Sequence, residues 1–153
     1  MNVVRNIVLV LLCAAALDAT AVTPRSAPPS VAISHAWIRW LPGALPAAAY
    51  ATVTNHGDRR VRLVGATSPD YAAVMLHRSM TADGTARMET SRGIDVGAGA
   101  SVRLAPGGYH LMLMQPRRAI VPGDEVRLRL RFADGATLDA TFPVRPANAQ
   151  GAD

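Results

Sequence analysis

The sequence predicts an all-β fold, an antiparallel β-sandwich or barrel of about nine strands. Short apolar segments with a period of two recur along the chain, and turn-forming runs such as NHGD, TADG, PGG, PGD and ADG separate them. No convincing amphipathic helix interrupts this pattern. With 153 residues, half of them apolar, the chain is long enough to bury the core of one domain.

The predicted strands can be justified one after another by alternating polarity and flanking breakers. In chain order they cover residues 31–40, 48–55, 60–67, 72–77, 86–91, 100–105, 109–114, 125–132 and 137–144. The clearest pair is the last one. Val126, Leu128 and Leu130 alternate with arginines, and the ADG turn then returns the chain, which predicts a hairpin with one solvated face.

The beginning of the chain has the pattern of a secretory signal peptide. Residues 1–21 contain one arginine, an apolar run from Ile7 to Leu17 and a small-x-small cleavage site. The run is shorter than the roughly 20 residues of a membrane span. Cys13 follows the bulky Leu12, which argues against a lipid attachment site, so we expect it to be removed with the signal peptide. The mature protein is therefore predicted to be exported, without stable membrane insertion.

The remaining boundaries follow from composition. Residues 22–32 contain proline and serine without periodicity and are predicted to form a flexible leader. Residues 33–145 are predicted to form the β-domain, and residues 146–153 a short flexible tail.

Composition and motifs argue against three functional classes. All 16 basic residues are arginines, and they give a net charge of +5, but they are scattered on solvated strand faces and do not form a nucleic-acid-binding stripe. Hydrolase, nucleotide and zinc-protease motifs are missing, and the carboxylates lie mostly in turns, so an enzyme is not expected. After loss of Cys13 no thiolate remains, which excludes a blue-copper electron carrier.

The chemistry that remains is a set of soft metal ligands: His77, Met88, His110 and Met112. His110 and Met112 are two residues apart on a predicted strand and therefore share a face, with Cα atoms about 7 Å apart. Imidazole and thioether groups together favour Cu(I) over harder ions. Core packing is the alternative for methionines on a strand, since methionine often fills apolar cores.

The spacing of these four residues is H-x10-M-x21-H-x-M. This pattern resembles the signature of the periplasmic copper(I) chaperones of PCuAC type. Further segments are similar to that family in the same order, among them HAWIRWLP, MLHRSM and GGYHLMLMQP. The resemblance extends from Ile33 to Val144.

The resemblance implies a cupredoxin-like β-sandwich that binds one Cu(I) per chain through the four motif residues. It also implies a periplasmic carrier, expected to be monomeric, that delivers copper for the binuclear copper centre of cytochrome c oxidase. The expected partner is a copper-accepting protein, either an oxidase subunit or a thioredoxin-like copper chaperone. Copper sequestration for resistance and a metal-free interaction domain remain as alternative functions.

Several neighbours of the motif have open roles. Arg78 follows the first ligand where many relatives have an acidic or small polar residue, which places a positive charge near the expected ion. Met80 could shield the ion from water, and Met114 could assist it or pack in the core. Trp37 is expected in the core, and His56 in a turn. The tail contains neither histidine nor methionine, so a single copper site is expected.

Overall fold

The computed structural model describes residues 25–26, 30–43 and 45–152. The predicted signal peptide, including Cys13, lies outside the described residues. Eleven strands are present, and no helix that could span a membrane occurs in these ranges. The strands are β1 (Arg25–Ser26), β2 (Val31–Arg39), β3 (Ala47–Asn55), β4 (Val61–Thr67), β5 (Tyr71–Ala82), β6 (Thr85–Thr90), β7 (Ile94–Val96), β8 (Ser101–Leu104), β9 (Tyr109–Pro116), β10 (Glu125–Phe132) and β11 (Ala136–Arg145).

The strands form one continuous path in the order β6-β5-β9-β3-β2-β11-β10-β4-β7, and β1 and β8 pair onto β11 and β3. Most pairings are antiparallel, while β11 pairs in parallel with β1 and with β2. The path folds over into two layers, and β11 takes part in both. This architecture confirms the predicted all-β sandwich. All nine predicted segments are strands, and the two additional ones, β1 and β7, have only two and three residues.

The core lies between the inner faces of the two layers. Strand β10 alternates between exposed and buried residues along its whole length, as predicted for a hairpin with one solvated face. Leu128, Leu130 and Phe142 are at most 1% exposed in this core. On the outer face of the same hairpin, Arg129 donates two hydrogen bonds of 2.7 and 2.9 Å to Asp139. The arginines of β10 are thus solvated, as their alternation predicted.

A β-bulge in β2 changes which of its residues face the core. The pairing with β3 shifts between Ser34 and Trp37, and His35 has a left-handed backbone with φ of 50°. Before the bulge Val31 faces the core, and after it Ile38 does. Trp37 therefore points to the outer face of the sheet. It is buried, as expected, but it does not belong to the main core, because the extra residue reverses the alternation.

Both ends of the described chain contact the domain. Arg25 and Ser26 pair in parallel with the start of β11. At the other end, Arg39 donates a hydrogen bond of 3.1 Å from Nη2 to the carbonyl of Ala149, and Arg145 donates one of 2.6 Å to the carbonyl of Ala152. The predicted boundaries of leader, domain and tail stay predictions.

Asn55 organises the NHGD turn from inside the protein. Its side chain is fully buried, and Nδ2 donates to the carbonyls of Arg59, Val96 and Gly97 at 2.7, 3.2 and 3.0 Å. Its Oδ1 accepts a bond of 3.0 Å from the Gly57 amide. The side chain therefore connects the end of β3 to the short strand β7 and the residue that follows it.

We expect the substitution Asn55→Asp to lower the free energy of unfolding by about 3 kcal/mol, because a carboxylate would face carbonyl oxygens without a donor. Urea unfolding at neutral pH, followed by circular dichroism, measures this change. The matched control His56→Ala alters an exposed side chain in the same turn and should stay within about 0.5 kcal/mol of wild type. An Asn55→Asp variant as stable as wild type would contradict this role.

Candidate metal centre

The two candidate histidines lie directly opposite each other on neighbouring strands. His77 of β5 pairs with His110 of β9, so both side chains are on the same face of the sheet. Their ring centroids are 5.9 Å apart, and the ring planes are inclined by 37°. Metal–nitrogen bonds are about 2 Å long. The rings are thus close enough for one ion between them.

This face is the outer one, opposite the core. Leu76 and Leu111 form the next cross-strand pair, and both side chains are buried in the core cluster. The alternation of the two strands therefore turns the histidines outward. The same alternation explains why β9, a largely buried strand, has a histidine and two methionines on one face. They form the face that does not contact the core.

Met112 and Met88 flank the histidine pair on the same face. Met112 lies two residues beyond His110 on β9, and Met88 of β6 lies opposite Ser79, two residues beyond His77. Each methionine is a diagonal cross-strand neighbour of His77, at a Cα distance of about 7–8 Å that a long side chain can bridge. Met88, His110 and Met112 line one cavity of about 490 Å³. The structure therefore brings the four motif residues into one region.

The four side chains differ strongly in exposure. His110 is 4% exposed, whereas Met88 on the edge strand is 52% exposed. His77 and Met112 are intermediate. The region therefore has a buried side and a solvent side.

His77 has one ring nitrogen in a hydrogen bond and one without a partner. Nε2 lies 3.1 Å from the Thr90 hydroxyl, while Nδ1 is buried and has no hydrogen-bond partner among the described residues. Burial lowers the pKa of His77 from its ordinary value of 6.5, and the nearby His110 lowers it further. Both causes favour the neutral imidazole, which is the form that binds metals.

The ring of His110 is hydrogen-bonded to the backbone of the residue just before β9. Its Nδ1 lies 3.2 Å from the Gly108 carbonyl, which can only accept a hydrogen bond. Nδ1 therefore carries the proton, and Nε2 carries the lone pair. A histidine that donates one ring N–H to a carbonyl and offers the other nitrogen is the usual arrangement in metal sites.

Aromatic residues pack beside His110, the buried histidine of the site. The Tyr50 ring lies 6.3 Å from that of His110 and 4.8 Å from that of Trp37. The Arg39 guanidinium is 5.4 and 5.5 Å from the centroids of the Trp37 and Tyr50 rings. This cluster exists because the bulge in β2 turns Trp37 and Arg39 outward.

The neighbours of the motif occupy different faces. Arg78 is on the opposite face of β5 from His77, with its guanidinium 5.2 Å from the centroid of the Tyr109 ring. Met80 is also on that opposite face, opposite Arg87, a position that does not favour shielding the ion. Met114 and Met75 share the face of His77 and lie opposite Ala73 and Met112, respectively.

Thr90 and Tyr50 contact the histidines, and neither contact was predicted from the sequence. For Thr90 a signal was present. The two-residue turn Asp83-Gly84 has φ angles of 52° and 73°, as a type I′ hairpin requires. Such a turn pairs Ala82 with Thr85. Five residues away from the turn along each strand, it therefore pairs His77 with Thr90.

The described residues contain no group of three or more His, Cys, Asp or Glu side chains that could hold a metal ion. The donors of this region are instead two imidazoles and two thioethers. Neutral donors of this kind suit a soft ion and do not suit calcium or magnesium.

Comparison with known proteins identifies the family. The family model described as "Putative lipoprotein LpqE-like" matches residues 31–144. A curated relative, "Putative lipoprotein Lxx21020" of Leifsonia xyli subsp. xyli (strain CTCB07), is 36% identical over 134 residues, which are 87% of this chain and 80% of the relative.

Solved structures agree with this match. The copper-bound PCuAC domain from PmoF2 has a TM-score of 0.63 and 26% identity, covering 76% of this chain and 93% of that domain. The solution structure of CuI-DR1885 from Deinococcus radiodurans also has a TM-score of 0.63, with 30% identity over 80% of this chain and 82% of that protein. The chain therefore belongs to the LpqE-like family, of PCuAC type.

Proposed function

We propose that this protein is a copper carrier that binds one Cu(I) through His77, Met88, His110 and Met112. The observation that carries this proposal is the directly opposed pair His77 and His110 on one sheet face, with Met88 and Met112 diagonal to it. The copper-bound PCuAC domain from PmoF2 and CuI-DR1885 have the same fold, which supports the choice of metal.

The donor set supports the proposed oxidation state of the ion. Two neutral imidazoles and two thioethers are soft or intermediate ligands that stabilise Cu(I), and neither group must lose a proton at neutral pH. Thioethers are also unaffected by disulfide formation, which matters outside the cytoplasm. The unpartnered and buried Nδ1 of His77 gives a lone pair that an ion would satisfy.

The positive charge of Arg78 does not prevent a monovalent cation from binding here. The side chain of Arg78, adjacent to His77 in sequence, lies over the Tyr109 ring on the opposite face of the strand. Its charge is therefore directed away from the proposed ion. The sequence departure at position 78 does not oppose copper binding.

Unequal exposure favours delivery over storage. Met88 is half exposed on an edge strand, so an incoming ligand of a partner could replace its sulfur first. His110, almost fully buried, would retain the ion until the exchange is complete. Ligand exchange of this kind transfers Cu(I) without releasing it into solution. A storage protein would gain from enclosing all four donors.

We further propose that the carrier works as a monomer in the periplasm and supplies copper for the binuclear centre of cytochrome c oxidase. The acceptor would be an oxidase subunit or a thioredoxin-like copper chaperone. Export is supported by the signal-peptide pattern of residues 1–21 and by relatives named as lipoproteins. We expect Cys13 to be lost on cleavage, which intact mass measurement of the mature protein would test.

We expect isothermal titration or competition with a chromophoric chelator to show one Cu(I) per chain. The double variant His110→Ala, Met112→Ala should lose tight binding, because half of the donors are removed. Met114→Ala is the matched control, since it removes a methionine from the same face of the same strand and should leave stoichiometry and affinity unchanged. Retention of tight binding in the double variant would refute the assigned ligands.

Delivery and storage predict different phenotypes of a deletion strain. If the protein delivers copper, we expect lower cytochrome c oxidase activity and less copper in the binuclear centre, both restored by the wild-type gene and not by the His110→Ala, Met112→Ala variant. Oxidase activity and copper content per haem measure this outcome. Normal oxidase activity combined with increased copper sensitivity would instead establish sequestration.

A further inference from the structure

Thr90 contacts a candidate ligand without belonging to the motif. It lies directly opposite His77 across the β5–β6 pair, and its hydroxyl is 3.1 Å from Nε2 of that histidine. Thr90 is also two residues beyond Met88, so the two side chains share a face of β6. The edge strand β6 therefore contains Met88, a proposed ligand, and Thr90, the hydrogen-bond partner of the proposed ligand His77.

The hydroxyl can either accept from Nε2–H or donate to a bare Nε2, and the burial of Nδ1 distinguishes the two cases. If the hydroxyl donated, the proton would lie on Nδ1, which is buried without any acceptor among the described residues. A buried N–H without a partner is rare in proteins, whereas an unsatisfied lone pair is better tolerated. The proton of neutral His77 therefore lies on Nε2.

His110 has the opposite arrangement. The Gly108 carbonyl, 3.2 Å from Nδ1, accepts the proton of that nitrogen. The lone pair of His110 is consequently on Nε2, while that of His77 is on Nδ1. Two hydrogen bonds from outside the motif thus select different tautomers in two rings whose centroids are 5.9 Å apart.

We propose that Thr90 is a positioning residue that makes His77 present Nδ1 to the copper ion, while the Gly108 carbonyl makes His110 present Nε2. This inference rests on the proposed function. Hydrogen bonds of this type fix the ring orientation of a ligating histidine and raise its basicity, and their loss typically lowers metal affinity about 10-fold to 100-fold.

Three variants of the full-length mature chain test the role of the hydroxyl. Thr90→Val removes it with little change in shape, and Thr90→Ser retains it. Thr85→Val makes the same change at the turn end of β6, opposite Ala82 and on the other face of the strand, and is the matched control. Thr90 is exposed, and valine is favourable in strands, so Thr90→Val should fold, which thermal unfolding verifies.

The first measurement uses metal-free protein. Long-range ¹H–¹⁵N NMR spectra at neutral pH should show His77 as the Nε2–H tautomer and His110 as the Nδ1–H tautomer. Thr90→Val should remove the preference in His77 only, and Thr90→Ser should restore it. An Nδ1–H tautomer of His77 in wild type would overturn the proposal.

The second measurement is the affinity for Cu(I) alone, by competition with a chromophoric chelator. We expect Thr90→Val to bind about 10-fold to 100-fold more weakly, with Thr90→Ser and Thr85→Val within about 3-fold of wild type. If wild type binds Cu(I) and Thr90→Val binds it equally tightly, only the role of Thr90 is overturned. If wild type binds no Cu(I), the proposed function fails, and with it the role of Thr90 in copper binding. The NMR spectra would then show only which ring nitrogen each hydrogen bond protonates.

Discussion

The backbone pairing of β5 with β9 places His77 opposite His110, and the rest of the candidate site depends on this register. A slip of either strand by one residue would turn its histidine into the core and bring its leucine to the outer face. Leu76 and Leu111, buried between the layers, oppose such a slip, because exposing them would cost about 2 kcal/mol each. Packing of the core therefore aligns the face that contains the proposed ligands.

The position of each strand in the sheet determines how firmly its residue is held. Strand β9 is paired on both sides, and His110 on it is buried beside Tyr50. Among the strands that the structure describes, β6 is paired only with β5, and all residues of β6 are exposed, including Met88. Fluctuations that open an edge strand need less free energy than those that open a central one. A carrier needs both properties, since it must retain the ion in transit and release it on contact with a partner.

The sequence predicted the strands well and the site partly, for physical reasons that particular residues illustrate. Alternating polarity is local information, so the segment of β10 and its solvated arginines were predictable. The outward direction of Trp37 was not, because it depends on a one-residue bulge at His35 that leaves no clear pattern. Thr90 could have been found from the Asp-Gly turn, which determines the register of β5 against β6. The diagonal positions of Met88 and Met112 relative to His77 could not be derived from their separation in the sequence. They depend on the order β6-β5-β9 in the sheet.

The charges around the candidate site are a further argument for a monovalent ion in the proposed function. Among the described residues, no carboxylate lines the cavity that contains Met88, His110 and Met112, and Arg39 lines its wall. The guanidinium of Arg39 lies over Tyr50 and Trp37, which offsets part of its charge through cation–π interactions. Coulomb repulsion is proportional to the charge of the incoming ion, so Arg39 opposes Cu(II) twice as strongly as Cu(I). The same arginine that would weaken binding of any cation would thus increase the preference of the proposed site for the cuprous ion over the cupric one, in addition to the preference that the proposed thioether donors would give.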